Sequence, residues 1–249
     1  MHLPAKAKCY FVSDLHLLAR RSNAPRYTAA IWRAAAQADA FVLGGDIFDF
    51  RWARARCPRE PVDEAAAWLA ELAKDFPRCE FHFVLGNHDF HQGFIDRLNR
   101  LEGEWANLFW HPYFLRLGGN VFLHGDVADG RATPESLRAR RTRGLGRHHR
   151  RGWLPNLCYD LLVASRLHKP LPFLVYPRKR VARRILAYLD NIGHGPQAGV
   201  RHVYFGHTHR SLSHYRFGGL VFHNGGAPIK GVRFRILQTE TQSDLAQVG

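Results

Sequence analysis

Five short apolar segments of this 249-residue chain each end in side chains that can bind a metal ion, usually beside a glycine. The motifs that end them are Ser13-Asp14-Leu15-His16, Gly44-Gly45-Asp46, Gly86-Asn87-His88-Asp89, His124-Gly125-Asp126 and Gly206-His207-Thr208-His209. Ligands of open α/β sheets bind at the carboxyl ends of the strands, and glycine lets the backbone turn sharply there. The pattern therefore predicts that these side chains meet in one site.

The first half of the chain alternates strand-like and helix-like segments. Short apolar runs predict buried strands at residues 9–13, 41–43 and 81–85, and Ala-rich or amphipathic patterns predict helices at 27–38 and 63–74. Strands separated by helices of this length indicate α/β units with a largely parallel sheet.

The part of the chain that follows Leu108 is rich in short strand-like runs. Two glycine pairs, Gly118-Gly119 and Gly218-Gly219, separate neighbouring runs as hairpin turns do. The predicted strands cover residues 114–117, 120–124, 202–205, 213–217, 220–223 and 232–239. We interpret residues 1–249 as one domain, with the helical segment 129–197 as a cap or insertion within it.

The donor atoms in the motifs are carboxylate oxygen, amide oxygen and imidazole nitrogen, which suit hard or borderline divalent cations. The predicted metal ligands are Asp14, His16, Asp46, Asn87, His124, His207 and His209. The set is too large for one tetrahedral ion with an open position, and it fits two ions that share a bridging carboxylate. Two cations about 3.5–4 Å apart can clamp the attacking and leaving oxygens of a phosphoryl displacement.

The ordered blocks D-x-H, G-D, G-N-H-D, H-G and G-H-x-H resemble those of the calcineurin-like metallophosphoesterase superfamily. The resemblance implies a hydrolase of two packed mixed β-sheets flanked by helices. It also implies that a hydroxide held between two metal ions attacks phosphorus in line. One ion would be held by Asp14, His16 and His209, the other by Asn87, His124 and His207, with Asp46 bridging both. His88 would act at the leaving group as general acid or charge stabiliser, and Asp89 would orient it. Mn²⁺ is the first choice of metal, with Fe and Zn as alternatives.

Within the superfamily, the chain is most similar to the UDP-2,3-diacylglucosamine hydrolases of lipid A synthesis, through residues 13–17, 45–49 and 124–126 and His207-Thr208-His209-Arg210. This similarity implies cleavage of a pyrophosphate that releases UMP and leaves a lipid 1-phosphate, with the 129–197 insertion receiving acyl chains. Residues proposed to contact the substrate are Arg20, Arg21, Asp126 and Arg210, with a surface role as the alternative for Arg20 and Arg21.

One departure keeps the substrate open, because that family usually carries Arg where this chain has His88. The alternative is a phosphomonoesterase or phosphodiesterase of broader specificity, acting on a soluble phosphoester or on nucleic acid. A non-catalytic scaffold is a third hypothesis, which the complete ligand set disfavours.

The net charge of +15 favours an anionic partner. The surplus is concentrated in residues 131–184, which contain 15 Lys or Arg and two acids. We expect a phosphorylated small molecule or lipid-linked nucleotide as substrate, with an anionic membrane surface as a further partner. Nucleic acid is disfavoured because the basic segment lacks groove-binding motifs, and no obligate protein partner is evident.

The chain carries no recognisable targeting or anchoring segment. Its N-terminus lacks the layout of a secretory signal, no apolar stretch approaches the length of a membrane span, and the four cysteines form no C-x-x-C pair. We therefore expect a cytoplasmic protein with reduced thiols, and leave a peripheral position on the inner face of the membrane open.

Overall fold

The computed structural model describes residues 4, 6–20, 22–53, 59–145, 174–242 and 247–248. Eleven strands and five α-helices occur within these residues. The strands are β1 (Lys6–Val12), β2 (Ala40–Gly44), β3 (Glu80–Val84), β4 (Leu108–His111), β5 (Phe114–Leu117), β6 (Asn120–Leu123), β7 (His202–Phe205), β8 (Leu212–Phe217), β9 (Leu220–Asn224), β10 (Leu237–Gln242) and β11 (Gln247–Val248). The helices are α1 (Thr28–Ala35), α2 (Glu60–Asp75), α3 (Gln92–Glu104), α4 (Pro134–Leu145) and α5 (Arg178–Asn191).

The first sheet has the strand order β10-β1-β2-β3-β4. Strands β1 to β4 are parallel and are connected through α1, α2 and α3, whereas β10 pairs antiparallel with β1. The predicted α/β units and their parallel sheet are thus confirmed. Acidic Glu60 and Asp63 lie in the first turn of α2 and Lys74 lies in its last turn, which complements the helix dipole.

The second sheet has the order β11-β5-β6-β7-β9-β8 and is mixed. Hairpins join β5 to β6 and β8 to β9, with Leu117 opposite Asn120 and Phe217 opposite Leu220. The glycine pairs at 118–119 and 218–219 therefore form the predicted turns. The strand predicted over 232–239 is displaced, because β10 begins only at Leu237. The preceding backbone instead forms an isolated antiparallel bridge between Phe234 and Gly226, beside which Arg235 N–H donates to the Gly225 carbonyl.

The two sheets pack face to face and close the interior between them. Phe11 and Val42 from the first sheet contact Leu115, Phe122 and Tyr204 from the second in one buried cluster. A larger apolar cluster lies between the first sheet and helices α1 to α3, and another lies between the second sheet and α5. Two mixed sheets flanked by helices are the predicted fold class, which is confirmed.

The predicted insertion at 129–197 lies between β6 and β7, which pair in parallel. A parallel pair requires a crossover connection, usually a helix, and α5 supplies one by burying Ile185 and Leu189 in the core of the second sheet. Helix α4 adds Leu137 to the same core. Residues 146–173 lie outside the described residues; they include five residues predicted to contact acyl chains, Leu157, Leu161, Leu162, Leu171 and Phe173. None of the described helices is long and apolar enough to cross a membrane.

Two buried histidines form a pair on the neighbouring strands β3 and β4. His82 Nδ1 lies 3.2 Å from His111 Nε2, and both side chains are buried. Burial, together with the charge of His82, lowers the pKa of His111 from its ordinary 6.5 to about 3. At pH values between these two pKa values, His111 binds a proton in the unfolded chain but not in the folded chain. The contribution of His111 to stability is therefore complete above pH 6.5 and falls as the pH drops toward 3.

The substitution His111→Gln is expected to reduce the acid sensitivity of folding. Through His111 alone, the wild-type protein should lose roughly 2 kcal/mol of unfolding free energy between about pH 7.5 and about pH 5, and the variant should not. Urea unfolding at both pH values measures the difference. Equal losses in the two proteins would contradict a neutral His111 in the folded state.

Candidate metal centre

The side chains that follow β1, β2, β3, β6 and β7 converge although they come from both sheets. The structure forms three groups, within each of which the candidate ligand atoms lie within 4.8 Å of one another: Asp14, His16 and His209 in the first, Asp46, His124 and His207 in the second, and His16, Asp49 and His88 in the third. Asn87 joins the second group, with its Oδ1 atom 3.1 Å from His124 Nε2. All seven predicted ligands are therefore gathered at the carboxyl ends of the strands.

Many residues of this site have backbone dihedral angles in the left-handed region, where φ is positive. Seven described residues other than glycine have positive φ, and five of them are predicted ligands: Asp14, His16, Asp46, His207 and His209. Such conformations cost about 1–3 kcal/mol each and persist where the surrounding structure imposes them. Close packing adds a second constraint, because a Cβ atom at Gly86 would collide with the Asp46 carboxylate and one at Gly206 with the Asp14 carboxylate. Strained backbone conformations thus accompany the convergence of the side chains.

In the first group, two imidazoles face each other through the nitrogens that point into the site. His16 Nε2 lies 3.0 Å from His209 Nε2, and His209 Nε2 lies 3.5 Å from Asp14 Oδ1. The Asp14 carboxylate also accepts hydrogen bonds from the backbone N–H of His207 at 2.8 and 3.0 Å. Burial and the charge of His16 lower the pKa of His209 well below its ordinary value, which favours the neutral imidazole that binds metals.

In the second group, the tautomer of His124 is set by the backbone. Its Nδ1 lies 3.3 Å from the carbonyl oxygen of Gly44, which assigns the ring proton to Nδ1. The lone pair of Nε2 then faces Asn87 Oδ1 at 3.1 Å and Asp46 Oδ2 at 3.3 Å. Three acceptor atoms facing one another in a buried place require a proton or a cation between them.

The raised pKa values of two histidines agree with a need for positive charge in the site. Burial by itself lowers the pKa of His124, but the neighbouring carboxylate of Asp46 raises it to about 10. Burial likewise lowers the pKa of His16, and Asp49, through a hydrogen bond and its charge, raises it to about 9. The carboxylates therefore stabilise cationic charge strongly enough to outweigh burial. The donor set, the facing lone pairs and the charge balance all fit divalent cations.

His88 has a different partner from the one that its motif indicates. Its Nδ1 lies 3.0 Å from Asp49 Oδ1, while the other oxygen of Asp49 lies 3.3 Å from His16 Nδ1. Asp89 instead accepts the backbone N–H groups of Gly86, at 2.6 Å, and of Ile47, at 3.0 Å. The prediction that Asp89 orients His88 is wrong in this structure, because Asp89 points back into the turn and holds the loop.

Asp49 lies at the centre of a polar cluster. Burial alone would raise its pKa, but the charge of His88 and a hydrogen bond from His16 hold that pKa well below its usual range. Asp49 Oδ1 also accepts the backbone N–H groups of Arg51 and Trp52, both at 3.1 Å. One ionised carboxylate thus contacts two imidazoles at the site.

The sequence pattern of the calcineurin-like phosphoesterase family matches residues 7–211, which span β1 to the loop after β7. The chain belongs to the calcineurin-like phosphoesterase family. It is therefore a phosphoester hydrolase, and the family uses a dinuclear divalent metal centre, with which the first two Asp/His groups agree.

No curated protein matches the chain significantly. Among solved structures, phosphopantetheinyl hydrolase from Mycobacterium tuberculosis is similar at a TM-score of 0.44 and 13% identity, over 90% of this chain and 91% of its own. A dimetal phosphatase from Danio rerio is similar at a TM-score of 0.44 and 12% identity, over 95% of this chain and 99% of its own.

Asp126 of this phosphoesterase, predicted to contact substrate, forms a buried ion pair. Arg141 on α4 donates from Nε to Asp126 Oδ2 at 2.8 Å and from Nη2 to Oδ1 at 2.9 Å. A third bond runs from Arg141 Nη1 to the carbonyl of Pro112 at 2.6 Å. Burial raises the pKa of Asp126, but the opposite charge of Arg141 lowers it to about 2. The pair therefore anchors α4 beside the metal centre.

Breaking this pair with Arg141→Met is expected to destabilise the protein by roughly 3–5 kcal/mol, because Asp126 would keep a buried charge without a partner. The matched control is Arg138→Met, an exposed position on the same helix, which should change the unfolding free energy by less than about 0.5 kcal/mol. Denaturant unfolding of both variants measures the contrast. Equal stability in the two would contradict an anchoring role for Arg141.

The remaining predicted substrate contacts are only partly described. Arg20 is exposed beyond the first motif, and Arg21 lies outside the described residues. Arg210 Nη1 donates to the carbonyl of Tyr176 at 3.2 Å, which joins the last motif to the chain just before α5. The substrate roles of these three arginines stay predictions.

Two further residues reach the site without a signal in the sequence motifs. The Tyr176 hydroxyl donates to Asp129 Oδ1 at 2.9 Å, and the same oxygen lies 2.8 Å from His207 Nε2. Asp129, at the start of the predicted insertion, and Tyr176, just before α5, thus lie against His207. Only the folded crossover between β6 and β7 brings them there.

Proposed function

We propose that this phosphoesterase holds two divalent cations with the seven gathered side chains. Asp14, His16 and His209 would hold one ion, Asn87, His124 and His207 the other, and Asp46 would bridge them. The observation that carries the proposal is the close approach of part-buried ligand atoms, at 3.0 Å between His16 Nε2 and His209 Nε2 and at 3.1 Å between His124 Nε2 and Asn87 Oδ1. Mn²⁺ is the proposed metal, since oxygen and imidazole donors accept it and no thiolate competes.

When bound, the two ions supply Lewis-acid activation of water and of the phosphoryl oxygens. The protein contributes orientation and proton transfer. His88 is partly open, with 21% of its side chain exposed, so that a substrate oxygen can meet its Nε2 while Asp49 holds Nδ1 at 3.0 Å. We assign to His88 the protonation or charge stabilisation of the leaving oxygen, and to Asp49 the positioning of His88.

We further propose that the substrate is a lipid-linked nucleotide pyrophosphate of the UDP-2,3-diacylglucosamine type, cleaved to UMP and a lipid phosphate. The proposal is supported by the motif resemblance and by the basic composition of residues 131–184. Leu174 and Val175 are exposed at 74% and 48%, directly before the basic residues Arg178 and Lys179. Apolar side chains beside basic ones are what binding to an anionic lipid surface requires.

The same features underlie our proposals for location and organisation. We propose one domain over residues 1–249, with 129–197 as a cap over the site, in a cytoplasmic protein that binds the inner membrane face peripherally. The contacts of Asp129 and Tyr176 with His207 support the cap, because they place two points of the segment beside the candidate metal centre.

The second candidate is a phosphodiesterase or phosphomonoesterase of broader specificity, which His88 favours because an imidazole here can protonate many leaving groups. One assay separates the two. Full-length protein with Mn²⁺ is expected to convert UDP-2,3-diacylglucosamine to UMP and lipid phosphate. The rate of this conversion should rise with the fraction of protein bound to anionic vesicles. Turnover of simple phosphodiesters without turnover of the lipid nucleotide would reject the lipid substrate and favour the second candidate.

A further inference from the structure

A cavity of about 420 Å³ opens directly beside Asn87, the predicted metal ligand that follows β3. It is lined by four arginines, two aspartates and that asparagine: Arg51, Asn87, Asp126, Asp129, Arg140, Arg141 and Arg143. The arginines come from two places far apart in the chain, the loop after β2 and helix α4. Their convergence next to the metal centre is not explained by the seven metal ligands.

Two of these guanidinium groups keep buried N–H groups without a partner among the described residues. Arg51 Nη2 donates to the carbonyl of Asn87 at 3.0 Å, but its Nε has no acceptor. Arg140 Nη2 is likewise buried without an acceptor. Buried donors without partners are rare and costly in folded proteins, so two of them in one cavity indicate a ligand that accepts hydrogen bonds.

The carboxylates in the cavity do not satisfy these donors. Both oxygens of Asp126 accept from Arg141, and Asp129 Oδ1 contacts Tyr176 and His207. Four guanidinium groups against two engaged carboxylates leave the cavity positively charged. A planar guanidinium donates two parallel hydrogen bonds to phosphate oxygens, which is the geometry that best matches such a site.

We propose that this arginine cavity binds a second phosphoryl group of the substrate, joined to the phosphoryl group that is cleaved at the metal centre. The inference rests on the proposed dinuclear function, because it takes the scissile phosphate to lie beside Asn87. Arg140 and Arg51 then determine specificity: they favour substrates with two linked phosphoryl groups over esters of a single phosphate. Arg51 also contacts the Asn87 backbone, so Arg140 is the cleaner position to change.

The test is the substitution Arg140→Gln. A second variant, Arg140→Lys, keeps the positive charge but loses the planar guanidinium that donates two parallel hydrogen bonds. The control is Arg138→Gln, which is exposed on the same helix and does not line the cavity. Each full-length protein, loaded with Mn²⁺, is assayed with a uridine diphosphate ester and with p-nitrophenyl phosphate. For Arg140→Gln, kcat/KM toward the diphosphate ester should fall roughly 10- to 100-fold, the value of a charged hydrogen bond, and toward the monophosphate by less than about twofold.

A binding measurement gives a readout independent of turnover. Inorganic pyrophosphate is titrated calorimetrically into the full-length protein after metal removal. Its Kd should weaken at least about tenfold in Arg140→Gln and stay unchanged in Arg138→Gln. Equal Kd values in all proteins, or an equal fall in kcat/KM for both substrates, would overturn the subsite. Failure of the wild type to turn over either substrate would instead reject the proposed function, while the titration still decides the subsite.

Discussion

Replacing Asp46 with asparagine is expected to lower kcat/KM for any phosphoester by at least about 1,000-fold, because the variant loses the proposed bridging charge of the metal centre. Asparagine keeps the size of the side chain and can still accept the hydrogen bond from the His88 backbone N–H, which lies 2.7 Å from Asp46 Oδ1. The fold should therefore survive. The amide cannot supply the negative charge that faces His124 at 3.3 Å.

Metal analysis of the purified Asp46→Asn protein should show fewer than two ions per chain after the same Mn²⁺ loading as the wild type. The matched control is Asp75→Asn, at the exposed end of α2, which should retain activity and metal. Full activity in Asp46→Asn would show that Asp46 does not bridge. A loss of activity in both variants would point to a general effect of charge.

The second large effect is expected for His88→Ala, which should reduce kcat by roughly 10²- to 10⁴-fold while leaving the metal content unchanged. The reason is the position of His88: it is not one of the seven proposed ligands, although it shares the third group with His16 and Asp49, and its side chain is partly exposed. A proton donor matters most when the leaving oxygen is a poor leaving group. The loss should therefore be large for an alkyl phosphoester and small for a nitrophenyl ester.

Comparison of the two esters tests that assignment directly. An equal loss with both would contradict proton donation by His88 and leave only a role in binding. Asp49→Asn should show the same dependence on the leaving group, with a smaller loss of about 10- to 100-fold, because Asp49 acts through His88 and His16.

The convergence of the proposed metal ligands could be predicted from sequence because each of them lies within four residues of the end of a strand. Each apolar run and the polar residues that follow it are neighbours in the sequence. The parallel pairing of β1, β2 and β3 then brings the ends of these strands together. The pairing of β6 with β7 does the same in the second sheet. Prediction therefore needed only the strand positions and the general rule that ligands bind at the carboxyl ends of strands.

The partners of those ligands could not be predicted in the same way. Asp89 follows His88 directly and is the natural choice for its partner, yet the turn directs Asp89 toward the backbone of Gly86 and Ile47. Asp49 reaches His88 across 39 residues because the loops after β2 and β3 lie side by side. Orientation of a side chain within a tight turn depends on backbone dihedrals that the motif does not encode.

The basic segment shows a similar limit. Its charge was evident from composition, but composition does not distinguish Arg141, buried against Asp126, from Arg138, exposed one turn earlier. The same holds for Arg140, which turns an unpartnered guanidinium nitrogen into the cavity beside Asn87. These three arginines have different roles because α4 presents a different environment on each face.

The central claim is that seven side chains from two sheets hold two cations. Anomalous diffraction from crystals of the full-length protein soaked in Mn²⁺ tests it most directly. We expect two anomalous difference peaks about 3.5–4 Å apart. One should lie beside His16 and His209 and the other beside His124 and His207, with the Asp46 carboxylate between them. A single peak, or no peak among these residues, would contradict it.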